Sequence, residues 1–171
     1  RGMSFQRLTF SAAPPPKFKE KKGQGWFLFG EKNDFPNQLL DLYNSSSLHN
    51  AIITQKAQFI AGKDSDLNLA GTVGEQAGAA QALKQANPYE SWHDLKFKCA
   101  VDLENFGGYC LQAIWNQQAT KVVGWYHLPF ERCRLNEDGS QIYYSASWQD
   151  KKIEPVIMGQ FSTVKPGGSQ A

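Results

Sequence analysis

The chain of 171 residues has 41% hydrophobic and 13% aromatic side chains, which is enough for one domain with a core and excludes an intrinsically disordered chain. Its 18 basic and 16 acidic residues leave a net charge of +2, and this near balance argues against a protein that coats nucleic acid. No run approaches the roughly 20 apolar residues of a membrane span, so we predict no membrane contact.

Residues 1–25 are predicted to form a flexible basic arm. Three consecutive prolines, Pro14 to Pro16, favour an extended backbone, and lysines follow them closely. Such an arm can touch DNA or an acidic neighbour, although its composition favours a solvated tail. Residues 26–171 form the predicted folded domain.

A short apolar run and a first helix are predicted after the arm. The run from Trp26 to Phe29 favours a buried strand or an anchor. Pro36 suits the first turn of a helix, where its missing N–H is not needed. Asn33 or Asp34 is placed to cap that helix.

A second helix is predicted from Ser46 or Ser47 to Gly62, a residue suited to a left-handed helix end. A further helix is predicted over residues 74–86 because they are rich in alanine. The second helix has a broad apolar face at helical spacing, formed by Leu48, Ala51, Ile52, Ile53, Phe59 and Ile60.

A long helix is predicted after residue 90. Ser91 and Asp94 match a capping box, in which each side chain bonds the backbone N–H of the other residue. Gly107 or Gly108 is expected to end the helix. The predicted buried stripe of this helix consists of Trp92, Leu95, Cys99 and Leu103.

After this helix, apolar residues recur at every second position, which indicates strands. Asp138 and Gly139 form a typical hairpin turn. Helices that precede an antiparallel meander define an α+β fold, in which the helices cover one face of the sheet. The predicted strands cover residues 109–115, 121–128, 130–135 and 141–147.

The histidines do not predict a metal site. His49, His93 and His127 are separated by more than one helical turn, and no paired Cys/His spacing occurs. A helix-cap, surface or strand-end role is expected for each of them. No glycine-rich phosphate loop is present in the sequence either, so we predict no cofactor.

The cysteines and carboxylates do not predict an active site. Cys99, Cys110 and Cys133 lack a CxxC spacing, which favours a reducing compartment and buried, inert thiols. Asp102 and Glu104 are two residues apart on a helix and therefore point in different directions. A small hydrolase that uses Cys99 or Cys110 with a distant histidine is an alternative without a local signature, and we predict no enzyme and no catalytic residue.

Aromatic side chains are concentrated on the predicted strands. Such rings can stack on the bases of a single strand, but they also form cores and subunit interfaces. Lysine and arginine are not interleaved with these rings on the same strands, which favours the core or interface interpretation. These residues are Trp115, Trp125, Tyr126, Tyr143, Tyr144 and Trp148.

The segment "FGEKNDFPNQLLDLYNSSSLHNAIITQKAQFIAGKD", residues 29–64, resembles the N-terminal signature of portal proteins of tailed bacteriophages and prophages. Two later stretches, "DLENFGGYCLQAIWN" and "GWYHLPFERCRL", resemble further parts of the same family in the same order. The matching positions of the first segment are Gly30, Asn33, Phe35, Pro36, Leu39, Leu42, Tyr43, Ser46, His49, Ile52, Ile53, Lys56, Ala57, Ile60 and Gly62. Those of the later stretches are Asp102, Phe106, Gly107, Gly108, His127, Leu128, Pro129, Arg132 and Arg134.

The resemblance implies a structural subunit of a portal ring, usually a dodecamer, at one vertex of the capsid. Double-stranded DNA passes through such a ring during packaging and ejection, and no covalent chemistry is expected of it. The implied partners are further copies of the chain, the major capsid protein, the terminase large subunit and the neck or head-completion proteins. The implied location is the virion, after assembly in the cytoplasm of the host bacterium.

The resemblance covers residues 26–171 and implies a portal wing-like α+β domain. The stem, clip and crown of portal proteins have no counterpart in the sequence, so we expect this chain to be the N-terminal wing region of a longer protein. The alternative is a nucleic-acid-binding α+β module that uses the aromatic rings of the sheet and the basic N-terminal arm.

Overall fold

The computed structural model has a mixed α+β fold, which confirms the predicted class, and it describes residues 25–30, 32–62, 85–150, 152–159 and 161. The predicted arm lies outside the described residues, except for Gly25. The helices are α1 (Phe35–Ser45), α2 (Ser47–Ala61) and α3 (Trp92–Phe106), with a short 3-10 helix at Phe130–Arg132. The strands are β1 (Gln85–Asn87), β2 (Glu90–Ser91), β3 (Cys110–Trp115), β4 (Val122–Leu128), β5 (Cys133–Leu135), β6 (Gln141–Tyr144) and β7 (Val156–Gly159).

The ends of α1 and α2 follow the local sequence. Pro36 lies in the first turn of α1 and is buried, and Asp34 stands at the N-cap without a capping bond from its side chain. The Ser46 hydroxyl accepts a hydrogen bond from the backbone N–H of His49 and caps α2. Gly62 ends α2 with a φ of 64°. The predicted start at Ser46 or Ser47 and the predicted end of this helix are therefore confirmed.

The face of α2 that packs against α3 shares only Ile53 with the predicted apolar face. The buried residues of α2 are Ile53, Ala57 and Ala61. The small side chains of Ala57 and Ala61 allow the backbones of the two helices to approach closely. The other apolar residues of the predicted face are exposed, and they include Leu48, Ile52 and Phe59.

The N-terminus of α3 is the predicted capping box. The backbone N–H of Asp94 donates to Oγ of Ser91 at 3.1 Å, and the backbone N–H of Ser91 donates to the Asp94 carboxylate at 3.2 Å. Gly107, with a φ of 79°, ends the helix in the left-handed conformation. The capping box and the glycine stop therefore set both ends of α3.

Replacing Asp94 with asparagine is expected to lower the melting temperature at neutral pH and to weaken its dependence on acid. Hydrogen bonds from the side chain and backbone of Ser91 hold the pKa of Asp94 below its ordinary value of 3.8. A carboxylate whose pKa is lower in the folded chain stabilises the fold above its unfolded pKa, and this contribution is lost as the pH falls through the folded-state pKa.

Thermal melts between neutral pH and values below 3.8 would test this expectation. The curves of the two proteins should converge in acid. Asp41→Asn, which changes an exposed carboxylate on α1, is the matched control and should melt like the unchanged chain throughout. A difference between Asp94→Asn and the unchanged chain that persists in strong acid would contradict the expectation.

The buried stripe of α3 is only partly the predicted one. Leu95 is buried as expected, whereas Leu103 is exposed. Ala100 and Asp102 are buried instead. The stripe is displaced because a polar contact of Asp102 with β4, described below, fixes which side of the helix faces inward.

The predicted four-stranded meander is wrong, because the strands form two separate main sheets. Strands β3 and β4 form an antiparallel hairpin, and β5, β6 and β7 form a three-stranded antiparallel sheet in that order. Pro129 precedes a 3-10 turn closed by a bond from the Arg132 N–H to the Pro129 carbonyl. This turn replaces the first half of the strand predicted over residues 130–135 and separates the two sheets.

One strand prediction and one helix prediction also need correction. Strand β6 ends at Tyr144 rather than at Ser147, because the hydroxyl of Ser145 donates to the Ser147 carbonyl and turns the chain. The helix predicted over residues 74–86 lies outside the described residues, except for its last two residues, which belong to β1. There the side-chain amide of Asn87 donates to the Trp125 carbonyl of β4 at 2.8 Å. This contact favours an extended backbone.

The hairpin of β3 and β4 lies between α3 and the three-stranded sheet. One face of the hairpin carries Cys110 and Leu128, which pack with Cys133 of β5 in the core. The other face carries His127, which contacts α3. A helix therefore covers one face of this hairpin, as predicted. Partly buried side chains complete the core cluster, namely Phe130, Ile142, Tyr144 and Met158.

The run from Trp26 to Phe29 is an anchor rather than a strand. The backbone N–H of Phe27 donates to the Leu135 carbonyl at 2.8 Å, and Leu28 is buried. The Trp26 ring lies 5.2 Å from the ring of Tyr143. The start of the described chain is therefore attached to the three-stranded sheet.

Candidate functional site

Residues from all three segments that resemble portal proteins lie in contact in the fold. Asn33, from the first segment, accepts a hydrogen bond from Nε of Arg134, from the third segment, at 2.7 Å. Asp102, from the second segment, lies 2.6 Å from Nε2 of His127, from the third. The resemblance therefore describes side chains that meet in space across about 100 residues of sequence.

Arg134 is the most deeply buried charged residue of the described chain, with 1% of its surface exposed. Its Nη1 donates to the carbonyls of Glu131 at 2.9 Å and Cys133 at 2.7 Å. Its Nη2 donates to the Asn33 carbonyl at 3.0 Å. Backbone carbonyls and one amide oxygen thus surround the guanidinium, and the group holds the loop before α1 against β5.

Aromatic rings complete the surroundings of Arg134. Its guanidinium carbon lies 4.7 Å from the ring centroid of Phe29 and 4.9 Å from that of Trp148, which are cation–π distances. Burial lowers the pKa of Arg134 to about 10, so the group remains charged at neutral pH. Its donors are directed into the protein, and the site is a structural junction rather than a ligand site.

Asp102 is the second buried polar junction. Its carboxylate contacts His127 of β4 and accepts the backbone N–H of Phe130 at 3.2 Å. It therefore joins α3 to β4 and to the 3-10 turn. Glu104, two residues later, forms an ion pair with Lys56 of α2. The prediction that these two carboxylates point in different directions is confirmed.

Aromatic packing reinforces the Asp102 junction. The Phe106 ring of α3 stacks on Phe130, with the centroids 5.2 Å apart and the planes inclined by 12°. Gly108 follows α3, and a Cβ atom at this position would lie 3.2 Å from the Phe130 ring. A larger residue at this position would require the Phe130 ring to shift by a few tenths of an ångström.

The three histidines do not come together. His49 lies in the first turn of α2, His93 in the first turn of α3, and His127 near the end of β4. Among the described residues, no group of three or more histidine, cysteine, aspartate or glutamate side chains could hold a metal ion. His127 has the strand-end role that was one of the expectations for it.

The thiols lie in environments that oppose nucleophilic chemistry. Burial raises the pKa of Cys99 to about 11. Cys110 and Cys133 are both buried and pack together in the core. A hydrogen bond to Cys110, together with burial, raises the pKa of Cys133. A hydrogen bond with Cys133 lowers the pKa of Cys110, but this thiol is buried in the core, and a reactive cysteine needs access to solvent as well as a lowered pKa. These positions therefore offer little support for the hydrolase alternative.

Most aromatic residues of the sheets pack within the chain. The Trp115 and Trp125 rings lie 5.5 Å and 5.4 Å from the ring of Phe161. Trp148 lies 5.5 Å from Trp26, and Tyr144 packs against the core cluster. These contacts occupy ring faces that a nucleic-acid base would need, so they favour the core interpretation over the stacking interpretation.

A shallow cleft lies between α1 and the loop after β6. Its volume is about 250 Å³, below the range of about 300–1,000 Å³ that is usual for small-molecule sites. The cleft is lined by polar and apolar side chains, among them Asn37, Leu40, Arg132, Ser147 and Trp148. Its size and open form give no reason to assign a substrate.

The exposed side of α2 is an apolar surface. Leu48 and Phe59 are 71% and 84% exposed, and Ile52 between them is half exposed. Residues at these spacings share one side of a helix, together with Gln55. We call Leu48, Ile52, Gln55 and Phe59 the α2 stripe. It lies opposite Ala57, the residue that is fully buried against the rest of the fold.

A second apolar surface lies at the edge of the three-stranded sheet. Val156 and Ile157 of β7 are 58% and 56% exposed, and Ile153 before them is partly exposed. We call these three residues the β7 surface. Strand β7 pairs with β6 on one side, and within the described part of the chain no strand pairs with its other side.

A scan against protein-family models gives no match, and a search of the curated proteins gives no match either. Within the described ranges, no helix has the length and apolar character needed to cross a membrane. The contacts between the three motif segments and the two exposed apolar surfaces are therefore the features of the structure that bear on function.

Proposed function

We propose that this chain is a structural subunit of the portal ring of a tailed bacteriophage. Such a ring is the head-to-tail connector at one capsid vertex, through which DNA enters during packaging and leaves during ejection. The observation that carries the proposal is the meeting of the motif segments, Asn33 with Arg134 and Asp102 with His127. These contacts are what we expect if the three segments belong to one folded unit with a common structural role.

The local roles of the matching residues support a structural function. Gly30, Gly62 and Gly107 have positive φ angles of 80°, 64° and 79°, which favour glycine. Pro36 starts α1, and Ser46 caps α2. These residues fix turns and helix ends, so the motif specifies a rigid shape. A subunit repeated around a ring needs such a shape, because every contact with a neighbour must recur identically.

The surface of the chain is consistent with this role. A closed cyclic ring uses two different surfaces on each subunit, and the chain exposes two separate apolar surfaces, the α2 stripe and the β7 surface. The net charge of +2 also suits a channel protein, because strong attraction to phosphates would hinder the passage of DNA.

The proposal includes the partners and location that the resemblance implies. The ring, with twelve copies as the usual number, would contact the major capsid protein, the terminase large subunit and the neck or head-completion proteins. Double-stranded DNA would pass through its channel without being chemically altered. The subunit would assemble in the cytoplasm of the host bacterium and remain in the virion.

The test is the assembly state of the full-length protein. Electron microscopy and light scattering after size-exclusion chromatography should reveal closed rings with a central opening. The measurements would be repeated over a range of protein and salt concentrations, because ring assembly depends on both. A protein that stays monomeric under all of these conditions would refute the proposed function.

A further inference from the structure

We propose that Cys110 and Cys133 are joined by a disulfide bond when the folded chain meets hydrogen peroxide, and that this bond links the β3–β4 hairpin covalently to the three-stranded sheet. Both residues are free thiols in the structure. The pairing goes beyond the proposed function and does not depend on it, because it involves two side chains of one copy.

The two thiols lie side by side in the core. Cys110 is the first residue of β3, and Cys133 is the first residue of β5. Together with Leu128 they form the buried cluster between the two sheets. The Cys133 thiol has two acceptors within reach, the sulfur of Cys110 and the carbonyl oxygen of Pro129, the latter at 3.5 Å. The two sulfur atoms therefore already face each other, as a direct bond between them requires.

A bond at this place would join two sheets that share no backbone ladder. Cys110 pairs with Leu128 of β4, whereas Cys133 pairs with Tyr144 of β6. Among the described strands, none of the hairpin pairs with any of the three-stranded sheet. The buried cluster holds the two sheets together by side-chain packing. A disulfide would add a covalent link to that packing.

The surroundings give the two thiols different roles. The hydrogen bond with Cys133 lowers the pKa of Cys110, whereas the same bond and burial raise the pKa of Cys133. The thiolate is the form that attacks an oxidant, so Cys110 reacts first and Cys133 supplies the second sulfur. The exposed surface agrees with this order, since it is 9% for Cys110 and 3% for Cys133.

The reaction with hydrogen peroxide proceeds in two steps. The Cys110 thiolate attacks one peroxide oxygen and the O–O bond breaks, which gives a sulfenic acid on Cys110 and a hydroxide that takes up the proton lost by that thiol. The sulfur of Cys133 then attacks the sulfur of Cys110. The S–S bond forms, the S–O bond breaks, and the oxygen leaves as water with the proton of Cys133. Two electrons pass from the thiols to the peroxide, and two molecules of water are released.

The size of the oxidant decides that this reaction can occur in the core. A substrate of a hydrolase cannot reach a thiol that is almost wholly buried, but hydrogen peroxide is little larger than water. The cytoplasm keeps thiols reduced, so the bond would form only in oxidising surroundings. A virion outside the cell, as in the proposed function, would provide such surroundings.

Cys99 provides an internal comparison. It is more exposed than the other two cysteines, so exposure alone would predict that it is oxidised first. However, it lies on α3, outside the buried cluster, and burial raises its pKa to about 11. It therefore remains a thiol at neutral pH, and we expect it to stay outside the disulfide.

Peptide mapping of the full chain tests the pairing. The folded protein is treated with hydrogen peroxide, the remaining thiols are alkylated, and the chain is digested without a reductant. Cleavage at lysine, arginine and glutamate places each cysteine in its own peptide. Mass spectrometry should detect the peptides of Cys110 and Cys133 joined, with the mass of two hydrogen atoms lost, and Cys99 alkylated.

The matched control is the same oxidation of the chain unfolded in urea. Without the folded contact, Cys99 should enter a mixture of pairings. A folded chain that keeps all its thiols, that links Cys99 to either partner, or that carries oxidised single thiols without a link would overturn the proposal.

A second measurement follows the melting temperature. Oxidation of the unchanged chain should raise it by on the order of 10 °C, because the bond closes a loop over residues 110–133 and restricts the unfolded chain. A reducing agent should reverse the rise. Cys133→Ala should show no rise, and Cys99→Ala, the matched control, should show the full rise. Circular dichroism of the reduced variants would verify that they fold. A rise that persists in Cys133→Ala, or a linked chain that melts no higher than the reduced one, would refute the stabilising link.

Discussion

Replacing Arg134 with alanine is expected to lower the free energy of unfolding by about 3–5 kcal/mol, a large part of the stability of a typical domain. The change removes hydrogen bonds from a guanidinium that is almost wholly buried. It leaves the side-chain oxygen of Asn33 and the carbonyls of Asn33, Glu131 and Cys133 without these donors. It also opens a cavity between the rings of Phe29 and Trp148.

Denaturation in urea, followed by tryptophan fluorescence, would measure the effect. Arg132→Ala is the matched control, because the Arg132 side chain is about half exposed and its loss should change stability by about 0.5 kcal/mol or less. Arg134→Lys should be clearly destabilised as well, since an ammonium group cannot reproduce the planar arrangement of donors. Equal losses in Arg134→Ala and Arg132→Ala would contradict the structural role of the buried guanidinium.

Replacing Asp102 with alanine is expected to lower the free energy of unfolding by about 2–4 kcal/mol. The carboxylate is the shared partner of the His127 ring and the Phe130 backbone N–H. Without it, both groups remain in a largely buried place with no replacement acceptor. The loss should also loosen the contact of α3 with β4 and the 3-10 turn.

Two variants make this test specific. Asp102→Asn keeps one oxygen that can accept a hydrogen bond, so it should lose less stability than Asp102→Ala. Asp41→Ala, at an exposed helical position on α1, should change the stability little. Chemical denaturation of the three variants gives the comparison. An Asp102→Ala protein as stable as Asp41→Ala would show that the junction contributes nothing to the fold.

The helix ends could be predicted because they depend on neighbouring residues. The capping box of Ser91 and Asp94, the cap at Ser46 and the stops at Gly62 and Gly107 are all formed within a few positions of the chain. The hydrogen bonds and φ angles involved are local, so the residue types alone indicate them. The same locality explains why the α+β class followed from the change of hydrophobic period.

The inward side of α2 could not be predicted in this way. The helix carries apolar residues around much of its circumference, and the fold buries Ala57 while it exposes Phe59. The buried side consists of Ile53, Ala57 and Ala61, so hydrophobicity alone does not distinguish it from the side that carries Leu48, Ile52 and Phe59. The α2 stripe is therefore visible only when the neighbouring helix is in place.

The sequence by itself determined where α2 and α3 begin and end, the mixed α+β class and the positions that resemble a portal protein. Only the tertiary structure decided that the strands divide into two sheets, that Arg134 bonds Asn33 and that Asp102 meets His127. The physical reason is the separation along the chain of the residues that interact. Helix caps and the hydrophobic period depend on residues that are only a few positions apart. These tertiary contacts join positions up to 101 residues apart and depend on the packing of the elements between them.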